Sequence, residues 1–321
     1  MRSNPKFSFI IPAFNEEKYI GKCLEAIFAS DFNKSRYEII VVDNGSTDAT
    51  IARASAFPTV KISSAPEFKV GGVRNYGAKI STGDVLIFLD ADCLIDKGWL
   101  RRAEKLLESK PASVFGGGCK LRDNPTFLEK YWLLEEAGSA TIPKHLIGAS
   151  IVMARPVFEE LGGFDECVSS GEDTLISQKA QCLGFKVVLT ADLNVVHLGN
   201  ATTVRDFIRR QEWHAESYCA NPLRSIKDPV FLLIVSFIFF LSAGILTALF
   251  IPEAGVILFL FGLSLPIILS IKRIFRSRLG LKRAAYSFIW IYWLDFLYVV
   301  GRAKTLGKIF KCLNRKNGKS L

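Results

Sequence analysis

The feature that most constrains this 321-residue chain is the stretch from Gly83 to Cys93, Gly-Asp-Val-Leu-Ile-Phe-Leu-Asp-Ala-Asp-Cys. Val85 to Leu89 is a continuous apolar run of strand length, the pattern of a parallel strand buried on both faces. Two carboxylates, Asp90 and Asp92, follow at once. Ligand sites of open α/β sheets lie at the carboxyl ends of strands, and residues two apart on an extended chain face the same way. Both acids therefore project into one crevice, where they repel each other unless a cation lies between them. Mg²⁺ or Mn²⁺ carrying a nucleotide diphosphate meets that need, because hard cations take oxygen ligands and keep substrate phosphates in their shell. An isolated Asp-x-Asp is more often an acidic turn after a strand, so the weight of this reading falls on the rest of the chain.

Phe7-Ser8-Phe9-Ile10-Ile11 reads as a first strand, closed by Pro12. Asn15 is placed to cap a helix with Glu16 and Glu17 in its first turn, where acids suit the helix dipole. Ile20, Cys23, Leu24 and Ile27 then recur at helical spacing. A second strand, Glu38 to Val42, runs into Asp43-Asn44-Gly45-Ser46-Thr47-Asp48, turn chemistry that leads into a short helix near Asp48. Strand, helix, strand, helix is the rhythm of a parallel sheet. Asp43, at a strand's carboxyl end, is placed to hydrogen-bond a nucleoside; it also reads as a loop acid, and Asp48 as a helix cap. Gly71-Gly72-Val73-Arg74-Asn75-Tyr76-Gly77-Ala78 opens a helix that ends near Gly83. Paired glycines before a helix let the backbone approach a ligand, and Arg74 adds a cation for phosphate. Neither this stretch nor Gly116-Gly117-Gly118 matches Gly-x-Gly-x-x-Gly, which disfavours a dinucleotide dehydrogenase. Glu172-Asp173 begins a further helix, Asp173 to Leu183, with Leu175, Ile176, Ala180 and Leu183 as its buried face.

Taken in order, these features resemble glycosyltransferase family 2. They are the first strand with Pro12 and Asn15-Glu16-Glu17, the Val42-to-Asp48 turn, Arg74-Asn75-x-Gly77, and Asp90-Ala91-Asp92. Gly162-Gly163-Phe164-Asp165-Glu166, Gly171-Glu172-Asp173 and Val195-Val196-His197 extend the resemblance over residues 6–200. It implies the GT-A fold, an α/β nucleotide-sugar-binding fold with a mostly parallel sheet. Pro12, Asn15, Glu16, Asp43, Arg74, Asp90 and Ala91 would lie along a nucleotide sugar, with the Asp43 turn on the base and ribose and Asp90 near the ribose. Asp92 would bind a divalent metal, Mn²⁺ or Mg²⁺, on the diphosphate. His197 falls where the family places a further metal or diphosphate contact; alone it reads equally as a satisfied histidine after a strand. Asp173 would be the catalytic base, and Glu172 beside it an acceptor or phosphate contact. The chemistry agrees: sugar transfer needs the diphosphate's charge neutralised and a carboxylate to take the acceptor hydroxyl's proton. A carboxylate at a helix N-terminus stays ionised more readily, as a base must.

The charges divide the chain sharply. Residues 1–228 hold 28 Lys and Arg against 29 Asp and Glu, residues 229–271 hold only Glu253, and residues 272–321 hold 13 basic residues and only Asp295. A basic block beside apolar spans is explained by an anionic leaflet. No basic face with interleaved aromatics precedes it, so nucleic acid is not an expected partner. The seven cysteines, Cys23, Cys93, Cys119, Cys167, Cys182, Cys219 and Cys312, show no Cys-x-x-Cys spacing, which fits reduced thiols in a cytosolic compartment. Phe7 to Ile11 is too short for a signal sequence, so residues 1–228 are expected in the cytoplasm.

The expected organisation is a cytosolic catalytic domain over 1–203, interfacial hinge helices over 204–228, a transmembrane hairpin over 229–271, and a basic loop, third segment and basic tail over 272–321. In the hinge, Arg205, Arg209 and Arg210 sit beside Val204, Phe207, Ile208 and Gln211 at helical spacing. Gln211-Glu212-Trp213-His214 departs from the Gln-x-x-Arg-Trp of the family's processive synthases, which counts against a polymerase. Arg209 and Arg210 would meet a lipid-linked phosphate or pyrophosphate; either one alone reads equally as the solvated face of an interfacial helix. Val230–Ile251 is long enough to span a membrane and Val256–Ile271 is slightly short. Ala284–Val300 carries Asp295, which would cost roughly 2.5–3.5 kcal/mol in mid-span. With positive charge kept inside, the expectation is two crossings, the third segment in the interface or re-entering and the tail cytoplasmic; the alternative is a third crossing paired through Asp295. The function expected is inverting, metal-dependent transfer from a nucleoside diphosphate sugar to a hydroxyl of a lipid-linked saccharide in envelope or exopolysaccharide assembly. The alternatives are a polyprenyl-phosphate glycosyltransferase of the dolichol-phosphate-mannose type and a non-catalytic sugar-binding or scaffold subunit.

Overall fold

The structure is a computed structural model that describes residues 7–134, 143, 145–220, 225–277 and 279–317, with main chain only at 217, 219–220 and 307–317. Arg278, Lys319 and hinge residues 221–224 lie outside the described residues, as do the side chains of Cys219, Lys308, Lys311, Cys312, Arg315 and Lys316. The chain divides into two compact units, Met1–Asn124 with Ala137–Asn200, and Pro125–Glu136 with Ala201–Leu321.

The strands are β1 (Phe7–Ala13), β2 (Tyr37–Asp43), β3 (Lys61–Ser64), β4 (Val85–Phe88), β5 (Cys93–Leu94), β6 (Ser113–Gly116), β7 (Cys119–Lys120), β8 (Ile151–Ala154), β9 (Lys186–Leu189) and β10 (Val195–His197). The first seven helices are α1 (Ile20–Phe28), α2 (Thr50–Ser55), α3 (Val70–Ile80), α4 (Trp99–Ser109), α5 (Phe127–Leu133), α6 (Arg155–Glu160) and α7 (Glu172–Cys182). All but α5 belong to the first unit. Its seven-stranded sheet has the order β3-β2-β1-β4-β8-β6-β9. Only β8 runs against its neighbours; the other pairings are parallel. The central strands β1 and β4 are buried on both faces, as their unbroken apolar runs require. Phe9, Ile11, Ile87 and Trp99 fill one side of the sheet, while Ile10, Leu86, Phe88 and Phe164 fill the other. Each such side chain contributes about 1.5–3 kcal/mol on burial.

Several boundaries differ from the expectation. β1 runs on through Pro12 to Ala13. Pairing with β4 ends at Ile10–Phe88, so the N–H that proline lacks has no strand partner to miss. Asn15 does not cap α1: the helix starts at Ile20 with no acid in its first turn, and Asn15 takes a left-handed φ of 57°, which asparagine tolerates better than most residues. The glycines at 71 and 72 lie inside α3. A Cβ on Gly72 would press on Phe68 at 2.9 Å, and one on Gly71 would collide with the Asp165 carbonyl, so both serve packing. In α7, Ile176 and Ala180 are buried as expected, whereas Leu183 ends outside the helix and is exposed.

A second sheet, β5-β10-β7, matters most for the site. β10 pairs antiparallel with β5, with His197 opposite Cys93. That register lays the end of the domain beside the residues that follow β4.

The second unit holds α5, α8 (Val204–Ala220), α9 (Pro229–Ala248), α10 (Pro252–Ser264), α11 (Pro266–Ser277) and α12 (Leu281–Asn317). The expected domain break at residue 203 moves to Asn200, and α5 joins the C-terminal elements. The cause is its apolar face: Leu128 clusters with Phe207, Leu294 and Leu297, and Trp132 stacks on Tyr298. Pro229–Ala248, Pro252–Ser277 and Leu281–Leu306 are each long and apolar enough to cross a membrane, with mean hydropathies of 2.6, 2.5 and 1.3. α9 and α10 pack closely through glycine; a Cβ on Gly244 would lie 2.7 Å from the Phe259 nitrogen, the small-residue contact that favours helix pairing in lipid. The cost reckoned for Asp295 assumed an unpaired carboxylate. In the structure it pairs with Arg273 at 2.7 Å and accepts from Ser270 at 2.9 Å, and Arg273 also donates to the carbonyls of Tyr131 and Trp132.

Candidate active site

The carboxyl ends of β1 and β2 are tied together by side chains of the first two motifs. Asn15 Oδ1 accepts from the Thr47 N–H at 2.8 Å, and the Asn15 N–H donates to Ser46 Oγ at 2.9 Å. Glu16 donates its N–H to Thr50 Oγ1, and Glu17 donates its own to Asp48. Asp43 is 2 % exposed and accepts from the N–H groups of Gly45 and Ser46, so its carboxylate shapes the turn from within. Asn15, Glu16, Glu17, Lys18, Tyr19, Asp48, Asp92 and Gly199 line an open cleft of about 400 Å³. Pro12 sits half-buried at the strand end behind it.

Asp90 and Asp92 leave β4 on a tight turn, with Ala91 buried between them. Arg74, expected to lie open to phosphate, is instead 2 % exposed. It donates to Asp90 Oδ1 at 2.7 Å and to Glu172 Oε1 at 2.5 Å. Burial disfavours its charge, but Asp90 and Glu172 outweigh that and hold the guanidinium protonated. Glu172 is likewise buried in this bridge, not open to an acceptor. Asn75 holds the next motif: its amide donates to the Phe164 carbonyl and accepts from the Phe164 N–H, both at 2.9 Å. Arg74 and Asn75 thus fix α3 to the two segments that precede and open α7.

Asp173 follows Glu172 in the first turn of α7 and accepts from the N–H groups of Gly148 at 3.1 Å and Thr174 at 2.6 Å. Burial pushes its carboxyl above the usual carboxylate range, with Arg74 and the two N–H donors pulling the other way. Glu172 is raised for the same first reason. A buried carboxylate with a raised pKa and a fixed orientation is a competent proton acceptor near neutral pH.

His197 Nε2 lies 3.5 Å from Asp92 Oδ2, brought there by the β5–β10 register. Its Nδ1 is buried with no hydrogen-bond partner among the described residues. A Cβ on Gly199 would collide with the Asp92 carboxylate, so glycine is what lets the chain close over this acid. Cys93 Sγ is 3.6 Å from Asp92 Oδ1. Burial, with Asp92 and Asp90 nearby, pushes this thiol well up. Arg209 and Arg210 belong to α8 in the second unit, where Arg209 pairs with Asp206 at 2.9 Å.

Residues 8–153 match the family model described as Glycosyl transferase family 2. The chain is also 30 % identical over 206 residues to glycosyltransferase AglE of Haloferax volcanii, an alignment covering 60 % of this chain and 67 % of that protein. This chain is a family 2 glycosyltransferase. The transferase is further similar, at 36 % identity over 129 residues, to a dolichyl N-acetyl-α-D-glucosaminyl phosphate 3-β-D-2,3-diacetamido-2,3-dideoxy-β-D-glucuronosyltransferase of Methanococcus voltae, covering 36 % of this chain and 40 % of that one. Its fold matches the mannosyltransferase PcManGT from Pyrobaculum calidifontis, solved in complex with GDP-Man and Mn²⁺, at a TM-score of 0.59 and 21 % identity over 95 % of this chain and 88 % of that chain. The GT-A architecture follows.

Sequence reasoning missed Gly199, Lys18 and Tyr19 as lining residues and Cys93 as a neighbour of the acid pair. The only signal for Cys93 was its place directly after Asp92; the others carry none that a single sequence displays.

Proposed function

We propose that this transferase moves a sugar from a nucleoside diphosphate sugar to a hydroxyl of a lipid-linked saccharide, with inversion, in envelope or exopolysaccharide glycan assembly. The observation that carries the reading is the Arg74 bridge, which holds Asp90 at the end of β4 and Glu172–Asp173 at the start of α7 in one fixed frame. Asp90 is the donor-side acid and Asp173 the proton acceptor, so donor and acceptor chemistry are set by a single buried cation. Asp173 takes the acceptor's proton as its oxygen attacks the anomeric carbon, while Arg74 and the Gly148 and Thr174 N–H groups hold the base in place. Attack by a separate hydroxyl in one displacement inverts the anomeric centre. The residues present fit a divalent metal, since the Asp92 carboxylate and the His197 imidazole stand 3.5 Å apart, with the histidine's second nitrogen buried and without a hydrogen-bond partner among the described residues. Mn²⁺ or Mg²⁺ bound there would offset the charge of the departing diphosphate. The structural neighbour solved with GDP-Man and Mn²⁺ and the Methanococcus relative named for a dolichyl-linked sugar phosphate support this choice of donor and acceptor class.

The second unit supports attachment to an anionic leaflet by two crossings. α9 and α10 expose large apolar side chains such as Phe239, Ile245, Leu246 and Ile257, which suits lipid. α12 packs along charged α8: Lys304 pairs with Glu212 at 3.0 Å, Arg302 donates to Tyr218, and Thr305 donates to the Glu212 carbonyl. These contacts lie at the C-terminal end of the apolar stretch and support a position at the membrane surface for that end of α12. The catalytic unit and the basic residues after α10 then share the cytoplasmic side.

The test is a thermal-shift screen of the detergent-solubilised full chain with nucleoside diphosphates and nucleotide sugars, with and without Mn²⁺. A metal-dependent rise in melting temperature for one nucleotide is expected, followed by transfer to a lipid-linked saccharide. No shift with any nucleotide and no metal-dependent nucleotide-sugar hydrolysis would leave the scaffold alternative; transfer to a bare polyprenyl phosphate would establish the other.

A further inference from the structure

Three donors of different chemistry meet beside the nucleotide cleft. One ligand atom from each of Asp92, Cys93 and His197 lies within 4.8 Å of the other two, and all three residues are buried. The separations are those of a metal site before small side-chain adjustments. Asp92 Oδ2 to His197 Nε2 is 3.5 Å, and Cys93 Sγ to Oδ1, the other oxygen of the same carboxylate, is 3.6 Å. Tetrahedral coordination with bonds of about 2.0–2.3 Å places neighbouring donors about 3.5 Å apart. The antiparallel pairing of His197 with Cys93 sets these two side chains on one face of the small sheet, and Gly199 folds against the Asp92 carboxylate. The position is therefore built by long-range structure and is closed on its protein side.

We propose that Asp92, Cys93 and His197 form a three-donor site that binds Zn²⁺ or Co²⁺ through the Cys93 thiolate, at the place where transfer calls for a harder ion. The proposal rests on the reading of Asp92 and His197 as the metal end of the donor site, and adds a ligand to it. Two oxygen or nitrogen donors favour no soft ion, whereas a thiolate does. On binding, the thiol proton is released to solvent and the sulfur bonds the metal. A thiophilic ion held this way excludes Mn²⁺ and blocks the transferase, so Zn²⁺ acts as an inhibitor competitive with Mn²⁺.

The experiment titrates the purified full chain with Co²⁺ alone and follows the near-ultraviolet thiolate-to-cobalt charge-transfer band. Mn²⁺ binding is measured in parallel from the loss of the free-ion paramagnetic resonance signal. The wild type should develop the band with one equivalent of Co²⁺. Cys93→Ser and Cys93→Ala should lose it and still bind Mn²⁺, and their Zn²⁺ affinity should fall by about 10–100-fold or more, at least the loss seen when a ligand's supporting contact is removed. Co²⁺ binding without a charge-transfer band overturns the thiolate ligand while leaving the Asp92–His197 reading intact. A band that persists in both folded variants assigns the sulfur to another cysteine and overturns the proposal too. Failure of the wild type to bind either ion overturns the proposal together with the reading beneath it. If both variants misfold, a chain that keeps Cys93 with Cys119, Cys167, Cys182, Cys219 and Cys312 changed to serine decides: a band retained upholds the proposal, and a band lost overturns it.

Discussion

Arg74 donates to Glu172 across 98 positions of sequence at 2.5 Å, inside the protein. With its second contact to Asp90, this one cation sets the distance between the end of β4 and the start of α7. Removing one member of a buried ion pair leaves the other charged and unsolvated, at a cost of about 3–5 kcal/mol. Arg74→Met should therefore lose roughly that much stability in denaturant unfolding. Arg74→Lys should recover only part of it, because an ammonium cannot present the guanidinium's planar fork to two carboxylates. A loss below about 1 kcal/mol, the worth of a surface pair, would show that the bridge does not hold the site.

Asp92→Asn removes a charge at almost constant volume. It should abolish Mn²⁺-dependent nucleoside diphosphate binding while leaving the circular dichroism spectrum and unfolding midpoint near those of the wild type. Calorimetry that finds the same Mn²⁺-dependent affinity would remove Asp92 from the metal site.

Asp173→Asn should keep donor binding and lower turnover on hydroxyl acceptors by ~10²–10⁴, the usual worth of a general base. Single-turnover kinetics at saturating donor separates the two effects. A change of only a few-fold would place the base elsewhere or make the acceptor a phosphate.

The pH dependence follows from burial, which raises the Asp173 carboxyl above its ordinary value. The base works only when ionised, so turnover should fall on the acid side at a pH above the ordinary Asp value of about 4. Stability has the opposite sign. A carboxyl whose folded-state pKa is raised supports the fold fully below its unfolded value and loses that support as pH rises through the folded value. The melting temperature of Asp173→Asn relative to wild type should thus increase as pH rises across that window. A difference that stays flat with pH would contradict the raised value.

Topology is tested by thiol labelling of intact cells with an impermeant reagent, in a variant carrying Cys312→Ser. Glu253→Cys, in the first turn of α10, should label from outside, and Lys304→Cys, paired with Glu212 on α8 in the parent, should not. Labelling at residue 304 would make α12 a third crossing.

Much of the first unit was legible because strands and helices announce themselves locally. Val85–Leu89, Phe7–Ile11 and Glu38–Val42 read as strands from composition alone, and each lies in the sheet. Asp90 and Asp92 stand at a strand's carboxyl end, as their position after an apolar run required. The turn residues were harder. Asp43 read both as a nucleoside contact and as a loop acid, and its carboxylate accepts from Gly45 within its own loop; which donors reach a loop acid depends on backbone angles that side-chain identity does not reveal. Arg74 looked like a phosphate ligand because an arginine near glycines carries no mark of which carboxylates will surround it.

The sequence by itself determined the parallel sheet, the acid pair at its edge, the carboxylate opening α7 and the apolar, basic-flanked C-terminal region, since each is written in short-range periodicity and charge. Only the tertiary structure decided that Glu172 and Asp90 share one arginine, that α5 leaves the first unit, that Asp295 is neutralised by Arg273, and that Cys93 meets His197. Those are pairings between segments tens to more than a hundred residues apart. They depend on strand register and on which buried charge finds an opposite one, and a one-residue slip in either would separate the same side chains.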